Sequence, residues 1–590
     1  MNPSETPDSV ADSRRRLSLD WLVGLFLFAA TATIVVWQNC RLSVLWDLSY
    51  VLENSYRISL GDIPYRDFPF PYPPLTFLIQ AAIIKLTGRV FWHHIVYCAL
   101  LSGFATVVTW RILLNLLRET VAHAYLLALL LSLPLILLGI YCIFPHPFYD
   151  PDCTFAILLS VFLLQQLERR HFASWRALLV GAMLMIPLFV KQNTGLAFIV
   201  SAGLAFVILM TVEAWHRRSA RRYLLIVGGA IAGLVLACSL IHLTAGLSNY
   251  WHWTFQFAAS RRTPARAEMI GIYEDKTIVL WIVLIAAGAI VLWLNRSGSR
   301  LLAMLSGLLI AAPFAWPTIY LLREQDPSER AERLLTIWPV LIIVSLVVSV
   351  ASIKKRKGLA LVLPFILIGA IHGAFMSQQL WGSTYAIWPL FMILLAGTIG
   401  SFCPRTNPSS SWTMMPLTAV VVVSLLISGG FYVWSHERLS YANLEDGELT
   451  RSTLPQLKGL SIRGDWIPNF EELVRYSETQ IPRDYGLLLI PGEDPFYYTT
   501  GRRPRFPVLL FDQTVNPYAP EEVLKLARER DIRWLIVKQD LQDEDEGLEK
   551  ERDELTEVLE QDFEQVESLN NYDVYRRKEP EADEDEDKNQ

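Results

Sequence analysis

The sequence predicts a mainly α-helical, polytopic transmembrane bundle of about thirteen helices with a small C-terminal α/β soluble domain. Three observations lead there. Of the 590 residues, 52% are hydrophobic and 19% charged, below the roughly one quarter charged that is usual in soluble globular chains. The apolar residues gather in blocks of about 18–25, each long enough to cross a hydrocarbon core of about 30 Å. Basic residues recur at 14–16, 118, 168–176, 216–222, 296–300, 354–357 and 405, seven places that fall on one side of the bundle. That is the positive-inside pattern, and it places the N-terminus in the cytoplasm.

In order, residues 1–18 form a cytoplasmic N-terminal segment, and 19–434 the membrane domain. The candidate spans are 19–37, 91–114, 122–143, 153–167, 177–190, 195–214, 223–243, 277–294, 301–321, 334–351, 359–376, 385–402 and 413–434. The first lacks a small-residue cleavage site and reads as a retained anchor. Residues 38–74 make the first outer loop. The apolar piece at 75–88 is too short to span, carries Lys85, and reads as an interfacial helix. An odd number of spans puts residues 435–578 outside the cytoplasm, and one miscounted span reverses that. Within this region, 486–490 and 534–537 have strand length, 520–530 and 549–559 have helical spacing, and 572–575 is a last short strand. The acidic tail 579–590 has no apolar anchor and is expected to be disordered.

The net charge of −6 conceals an asymmetry. Residues 541–590 hold 21 Asp and Glu against 6 Lys and Arg, a balance of −15 that leaves +9 for the remainder. Basic loops account for that surplus, and no basic groove on a soluble domain suggests nucleic acid as a partner. The six cysteines (40, 98, 142, 153, 238 and 403) lie in or beside apolar spans without a CxxC pair, which argues against a zinc ribbon or a disulfide framework. No P-loop, G-x-S-x-G, H-E-x-x-H or dinucleotide fingerprint occurs.

Chemistry concentrates at 46–74, WDLSYVLENSYRISLGDIPYRDFPFPYPP, where Asp47, Glu53, Asp62 and Asp67 stand among aromatics, prolines, Arg57 and Arg66. Carboxylates at a membrane edge are costly unless they bind or react. Asp47 lies near the start of a helical run, where the helix N-terminus keeps a carboxylate ionised. It can act there as a general base, or simply cap the helix. The prolines stiffen the path that presents Tyr65, Arg66 and Asp67. Arg66 can grip a phosphate, or pair with Asp67 or Glu53 to fold the loop. A second outer segment, 144–152 (FPHPFYDPD), offers Asp150 and Asp152 to orient sugar hydroxyls, to hold a divalent cation with Asp47, or to cap the next helix. Lys191 and Gln192 interrupt an apolar stretch after Pro187, and the lysine suits a phosphate or snorkels to headgroups. Arg261 and Arg262 follow an aromatic cluster and face either a lipid phosphate or anionic headgroups. Gln378 and Trp381 suit a sugar face or interfacial packing.

The acidic first outer loop, the G-x-x-P-Y-R-D-F stretch at 61–68, the PP-L before an amphipathic helix, and the K-Q-x-x-G at 191–195 together resemble the GT-C superfamily of polytopic glycosyltransferases. The likeness covers residues 15–435 and is strongest with the bacterial branch that includes protein O-mannosyltransferase-like and lipid A aminoarabinose transferase-like enzymes. It implies transfer of a sugar from a polyprenyl-phosphate donor to a lipid, glycan or protein acceptor at the outer face of the inner (plasma) membrane. It also implies Asp47 as the catalytic acid/base, Asp150 as the second-loop carboxylate, and Lys191 in phosphate binding. Where the family pattern commonly has a second acid after the first, this chain has Leu48, which puts the metal-binding role in question. The competing class is a transporter or lipid flippase, which uses buried charges near the midplane and paired broken helices.

Overall fold

The computed structural model describes residues 7–169, 173–217, 219–262, 270–295, 298–325, 333–376, 384–403, 410–434, 447–542 and 546–579. The helices begin with α1 (Pro7–Asn39), α2 (Leu45–Ser59), α3 (Leu75–Thr87), α4 (Phe91–Leu117), α5 (Ala124–Ser132), α6 (Leu135–Leu138), α7 (Tyr149–Arg169) and α8 (Ser174–Met183). They continue as α9 (Gln192–Trp215), α10 (Arg221–Thr244), α11 (Leu247–Trp251), α12 (Ala258–Arg262), α13 (Thr277–Leu294), α14 (Arg300–Arg323), α15 (Ile337–Ala351), α16 (Leu359–Phe375), α17 (Trp388–Phe402) and α18 (Ser410–Trp434). Two compact units emerge: Met1–Cys40 with Tyr72–Thr76 and His94–Ser440, and Arg41–Pro71 with Phe77–His93 and Tyr441–Gln590.

The first unit is the helical membrane portion. Among the described residues, seven helices are long and apolar enough to cross a membrane: Ser18–Asn39, Phe91–Leu117, Gln192–Trp215, Arg221–Thr244, Thr277–Leu294, Arg300–Arg323 and Ser411–Trp434. Shorter apolar helices stand at Ser174–Phe189, Ile337–Ala351, Leu359–Phe375 and Trp388–Phe402. The protein is a polytopic membrane protein. The candidate span 122–143 is not one helix: α5 stops at Ser132, and Pro134, which lacks an N–H, separates it from the four-residue α6. Gly139 then leaves the helical region with ψ 169°. Elsewhere glycine permits close helix contact. A Cβ on Gly229 would fall 2.0 Å from the Leu178 carbonyl oxygen, and one on Gly181 the same distance from that of Ile226, so α8 and α10 cross backbone to backbone.

The second unit is α/β. Its further elements are β1 (Leu449–Arg451), β2 (Ser461–Arg463), α19 (Trp466–Gln480), β3 (Gly486–Ile490), α20 (Phe496–Thr500), α21 (Pro520–Glu529), β4 (Ile532–Lys538), α22 (Glu546–Leu559), β5 (Phe563–Ser568) and β6 (Tyr572–Arg577). β1 and β2 pair antiparallel, and the main sheet has the order β3-β4-β6-β5. β3 and β4 are parallel, joined by a connection that contains α21, while β6 lies antiparallel to both β4 and β5. Leu488, Ile490, Leu535 and Val537 of the sheet pack on Val523 and Ala527 of α21 and on Leu555 and Leu559 of α22. Pro520 starts α21 at its first turn, where its missing N–H costs nothing. The expected tail beyond Glu579 lies outside the described residues.

Segment 41–71 folds into this second unit rather than standing as an isolated loop. Side chains over four hundred residues apart stitch it there. Gln542 donates to the Ser43 carbonyl at 2.9 Å and accepts from the Leu45 N–H at 2.6 Å. Arg57 donates to the Phe506 and Pro507 carbonyls at 3.0 and 2.9 Å, and Ser49 to that of Gly492 at 3.1 Å. The helix α2 ends at Leu60 and Gly61, the latter with φ +104°.

Candidate active site

The carboxylates of 46–74 meet different fates inside the second unit. Asp47 occupies the first turn of α2, half-buried, and the cap position belongs to Val44, so Asp47 is not the N-cap residue. Glu53 is buried at 3% exposure and accepts from the Tyr498 N–H at 3.0 Å. Burial pushes its carboxyl well above the usual carboxylate range, against the pull of the Tyr498 and Tyr497 N–H groups. Glu53 fastens α2 to α20 through this bond. Asp62 accepts from Arg57 Nε at 2.9 Å and Arg503 Nη2 at 2.6 Å. Asp67 receives Arg66 through two N–H groups, at 2.8 and 3.0 Å, and the Ile63 N–H at 2.8 Å. Arg66 is half exposed, and a phosphate would have to compete with Asp67 for it. Tyr65 is buried, with its ring centroid 5.7 Å from that of Phe70, and its φ of +69° is the left-handed conformation that side chains rarely adopt.

The first unit brings the other group together. Asp150 lies in the first turn of α7, and Lys191 is the N-cap residue of α9, in extended conformation after the turn at Ile186–Phe189. The two are buried and joined as an ion pair between Lys191 Nζ and Asp150 Oδ1. Lys191 Nζ also stands 5.4 Å from the centroid of the Tyr149 ring, and Tyr149 lies against Tyr72 (4.7 Å) and Phe148 (4.1 Å). Pro187 breaks the helix and so creates the N-terminus of α9. A Cβ on Gly195 would fall 2.3 Å from the Pro187 carbonyl oxygen, which explains the glycine of the K-Q-x-x-G motif sterically.

Asp152 is a different case. Its Oδ1 accepts from Tyr97 at 2.8 Å and Tyr141 at 2.6 Å, and its Oδ2 from Thr76 at 2.7 Å. Three hydroxyl donors satisfy it, so it ties α7 to α4 and to the start of α3 at Thr76. Gln192 is the first residue of α9 and half-buried. Arg261 is exposed over the Phe257 ring at 5.7 Å, and Arg262 closes α12 with its side chain outside the described residues. Gln378 and Trp381 also lie outside them. Among the described residues no three His, Cys, Asp or Glu side chains form a group that could hold a metal ion.

Two contributors escaped the sequence reading. Thr194, 2% exposed, has its hydroxyl in the first turn of α9 without a hydrogen-bond partner, an acceptor or donor awaiting one. Its position inside K-Q-N-T-G was the available signal. Tyr72 was hidden in the proline run as one aromatic among several.

No known family profile and no curated protein matches the chain. Among solved structures it is similar to ArnT from Cupriavidus metallidurans bound to undecaprenyl phosphate, at 11% identity and a TM-score of 0.42, over 93% of this chain and 97% of that one. It is similar to the arabinofuranosyltransferase AftD from Mycobacteria at 12% and 0.44, over 95% of this chain and 40% of that one. It is similar to the oligosaccharyltransferase of Archaeoglobus fulgidus in its apo form at 11% and 0.43, over 87% and 69%. Values this low mark a distant likeness, from which no residue role or activity is transferred.

Proposed function

We propose that this protein is a membrane glycosyltransferase that moves a sugar from a polyprenyl-phosphate donor to a hydroxyl-bearing acceptor at the extracytoplasmic face. The observation that carries the reading is the buried Lys191–Asp150 pair at the N-terminus of α9, beside the neighbouring rings of Tyr149 and Tyr72. A buried lysine, a helix N-terminus and the unpartnered Thr194 hydroxyl offer an anion complementary groups, while the aromatic faces suit a sugar ring. Asp150 orients the ammonium.

In the reaction, the acceptor oxygen gives up its proton to a carboxylate as it attacks the anomeric carbon, and the bond to the phosphate oxygen breaks. Within the first unit, Lys191 and the first N–H groups of α9 suit the charge that develops on a departing polyprenyl phosphate; within the second, Asp47 in the first turn of α2 is the carboxylate proposed as the base. Glu53, Asp62 and Asp152 act in this reading by holding their elements in place. Asp67 ties down Arg66, which leaves Arg66 a secondary role. A lipid-carried donor fits a site outside the cytoplasm, where nucleotide sugars are not supplied.

The break before α9 is also a feature of transporters, which place half-helix N-termini at anionic substrates. Mass spectrometry of polyprenyl-phosphate sugars and envelope glycans, with and without the protein, separates the two. Glycosyl transfer predicts accumulation of a sugar-charged carrier and loss of one glycan modification. Unchanged glycans together with a carrier redistributed between leaflets would overturn the enzyme reading.

A further inference from the structure

Within the first unit, the ends of α4, α15, α16 and α17 surround a cavity of about 350 Å³. Its wall is mostly apolar, with Leu363 and Leu367 from α16 and Ile393 and Leu394 from α17. Lys355 and Arg356 line its opening, within the basic run Lys-Lys-Arg-Lys at 354–357, and the exposed Glu119 borders it beside Arg169 at 4.0 Å. This is the face on which the basic loops gather, opposite to the one assigned to transfer, so the cavity is independent of that reading.

Two details point to a ligand. Arg356 is half-buried, and its Nη2 donates to Ser401 Oγ at 2.8 Å and to the Gly397 carbonyl at 3.2 Å. Among the described residues no carboxylate pairs with it, and burial lowers its pKa. A guanidinium drawn out of water without a counter-ion is costly, and an anion removes that cost. The second detail is Gly397, where an added Cβ would meet no atom within 4 Å, so α17 opens onto empty space at this level. The lining residues of α17 run from Ile393 to Ser401, a slot roughly 12 Å deep at 1.5 Å per residue.

We propose that this cavity binds an anionic phospholipid of the adjacent leaflet, its phosphodiester held by Arg356 and Lys355 and one acyl chain lying between α16 and α17. A free phosphate would occupy only the cationic mouth and leave the apolar slot bare. A zwitterionic lipid would bring its own cation to a mouth that is already positive. The volume lies within the roughly 300–1,000 Å³ of ordinary ligand pockets.

The test is native mass spectrometry of the full-length protein in detergent, titrated with phosphatidylglycerol or with phosphatidylcholine of the same chains. Two variants accompany the wild type. Arg356→Gln removes the cation, and Gly397→Leu fills the slot while keeping the carbonyl that Arg356 uses. Removing a glycine from a helix interior favours the helix, so the second variant is expected to fold. The wild type should hold phosphatidylglycerol about tenfold or more tightly than either variant, as loss of a charged hydrogen bond implies, and should show no such preference for phosphatidylcholine. Equal retention by wild type and both variants, or equal binding of the two lipids, overturns the proposal. If inorganic phosphate raises the thermal midpoint of the wild type and abolishes the phosphatidylglycerol preference, the occupant is a soluble anion and the lipid assignment fails.

Discussion

Replacing Lys538 with methionine should destabilise the second unit in a pH-dependent way. Lys538 is 1% exposed, with Nζ 2.6 Å from Glu493 Oε2 and 3.0 Å from Asp494 Oδ1. The Tyr572 hydroxyl donates to Asp494 at 2.9 Å, and Glu493 accepts from the Gln542 N–H at 2.7 Å. Burial opposes the charge on Lys538, but Asp494 and Glu493 outweigh it and raise its pKa above the ordinary 10.5. A raised folded pKa gives stability that is fully present below the ordinary lysine value and is lost as pH rises through the folded one. Wild type therefore draws on this group across the neutral range. Methionine preserves the volume and removes the charge, leaving two buried carboxylates uncompensated at about 3–5 kcal/mol. In a unit of roughly two hundred residues that is a fall of about 6–20 °C in Tm. Lowering the pH protonates a carboxylate and relieves part of the loss, so the deficit should be smaller near about pH 5 than near about pH 8. Thermal unfolding followed by tryptophan fluorescence reads it. All six cysteines fall in the first unit, so a thiol-reactive dye follows that unit separately. A shift under about 2 °C, or one equal at both pH values, would refute the assignment of this cluster as a compensated buried charge group.

Glu53 gives a second contrast: Glu53→Gln should cost under about 1 kcal/mol, because glutamine keeps the acceptor for the Tyr498 N–H and the volume without a buried carboxyl, whereas Glu53→Ala loses that bond and opens a cavity, for about 2–4 kcal/mol. Its raised pKa contributes stability below the ordinary carboxyl value that is lost as pH rises through the folded one, so Glu53→Gln should flatten the alkaline side of the Tm profile. For the Lys191–Asp150 pair, either Lys191→Met or Asp150→Asn alone should destabilise by about 3–5 kcal/mol, and the double variant should recover most of that. Transfer activity should not recover in the double variant; recovery of both would make the pair purely structural. Arg66→Ala, by contrast, should lower transfer by less than about tenfold, as expected of an exposed side chain already engaged by Asp67.

The membrane portion was legible because apolar runs of spanning length need no knowledge of partners. Where breaks occur, as at Pro134 and Pro187, the residues responsible were visible, but the path of the chain beyond them was set by packing. In the C-terminal region, the strand at 486–490 and the helix from Pro520 carried local signals strong enough to read. β5 did not: of its six residues only Phe563 is buried, so it shows no alternation, and it exists through pairing with β6. The site divides the same way. Family-like motifs drew attention to Asp47, Asp150 and Lys191, and the glycine spacing of K-Q-x-x-G has a steric reason at Pro187. Sequence proximity gave no sign of the partners of Glu53 and Asp152: Tyr498, Tyr97 and Thr76 lie far along the chain, and Tyr141 eleven residues away. Carboxylates crowded in sequence read alike, and only long-range hydrogen bonds tell structural ones from the rest.

The most direct test of the proposed chemistry is sugar transfer by purified Asp47→Asn protein in lipid, using polyprenyl-phosphate sugar from the native membrane and mass spectrometry of the acceptor fraction. Asparagine keeps the shape of the first turn of α2 and cannot accept the proton. The account predicts an unchanged thermal midpoint and transfer reduced by about a hundredfold or more; transfer at the wild-type rate by a folded Asp47→Asn protein would contradict it.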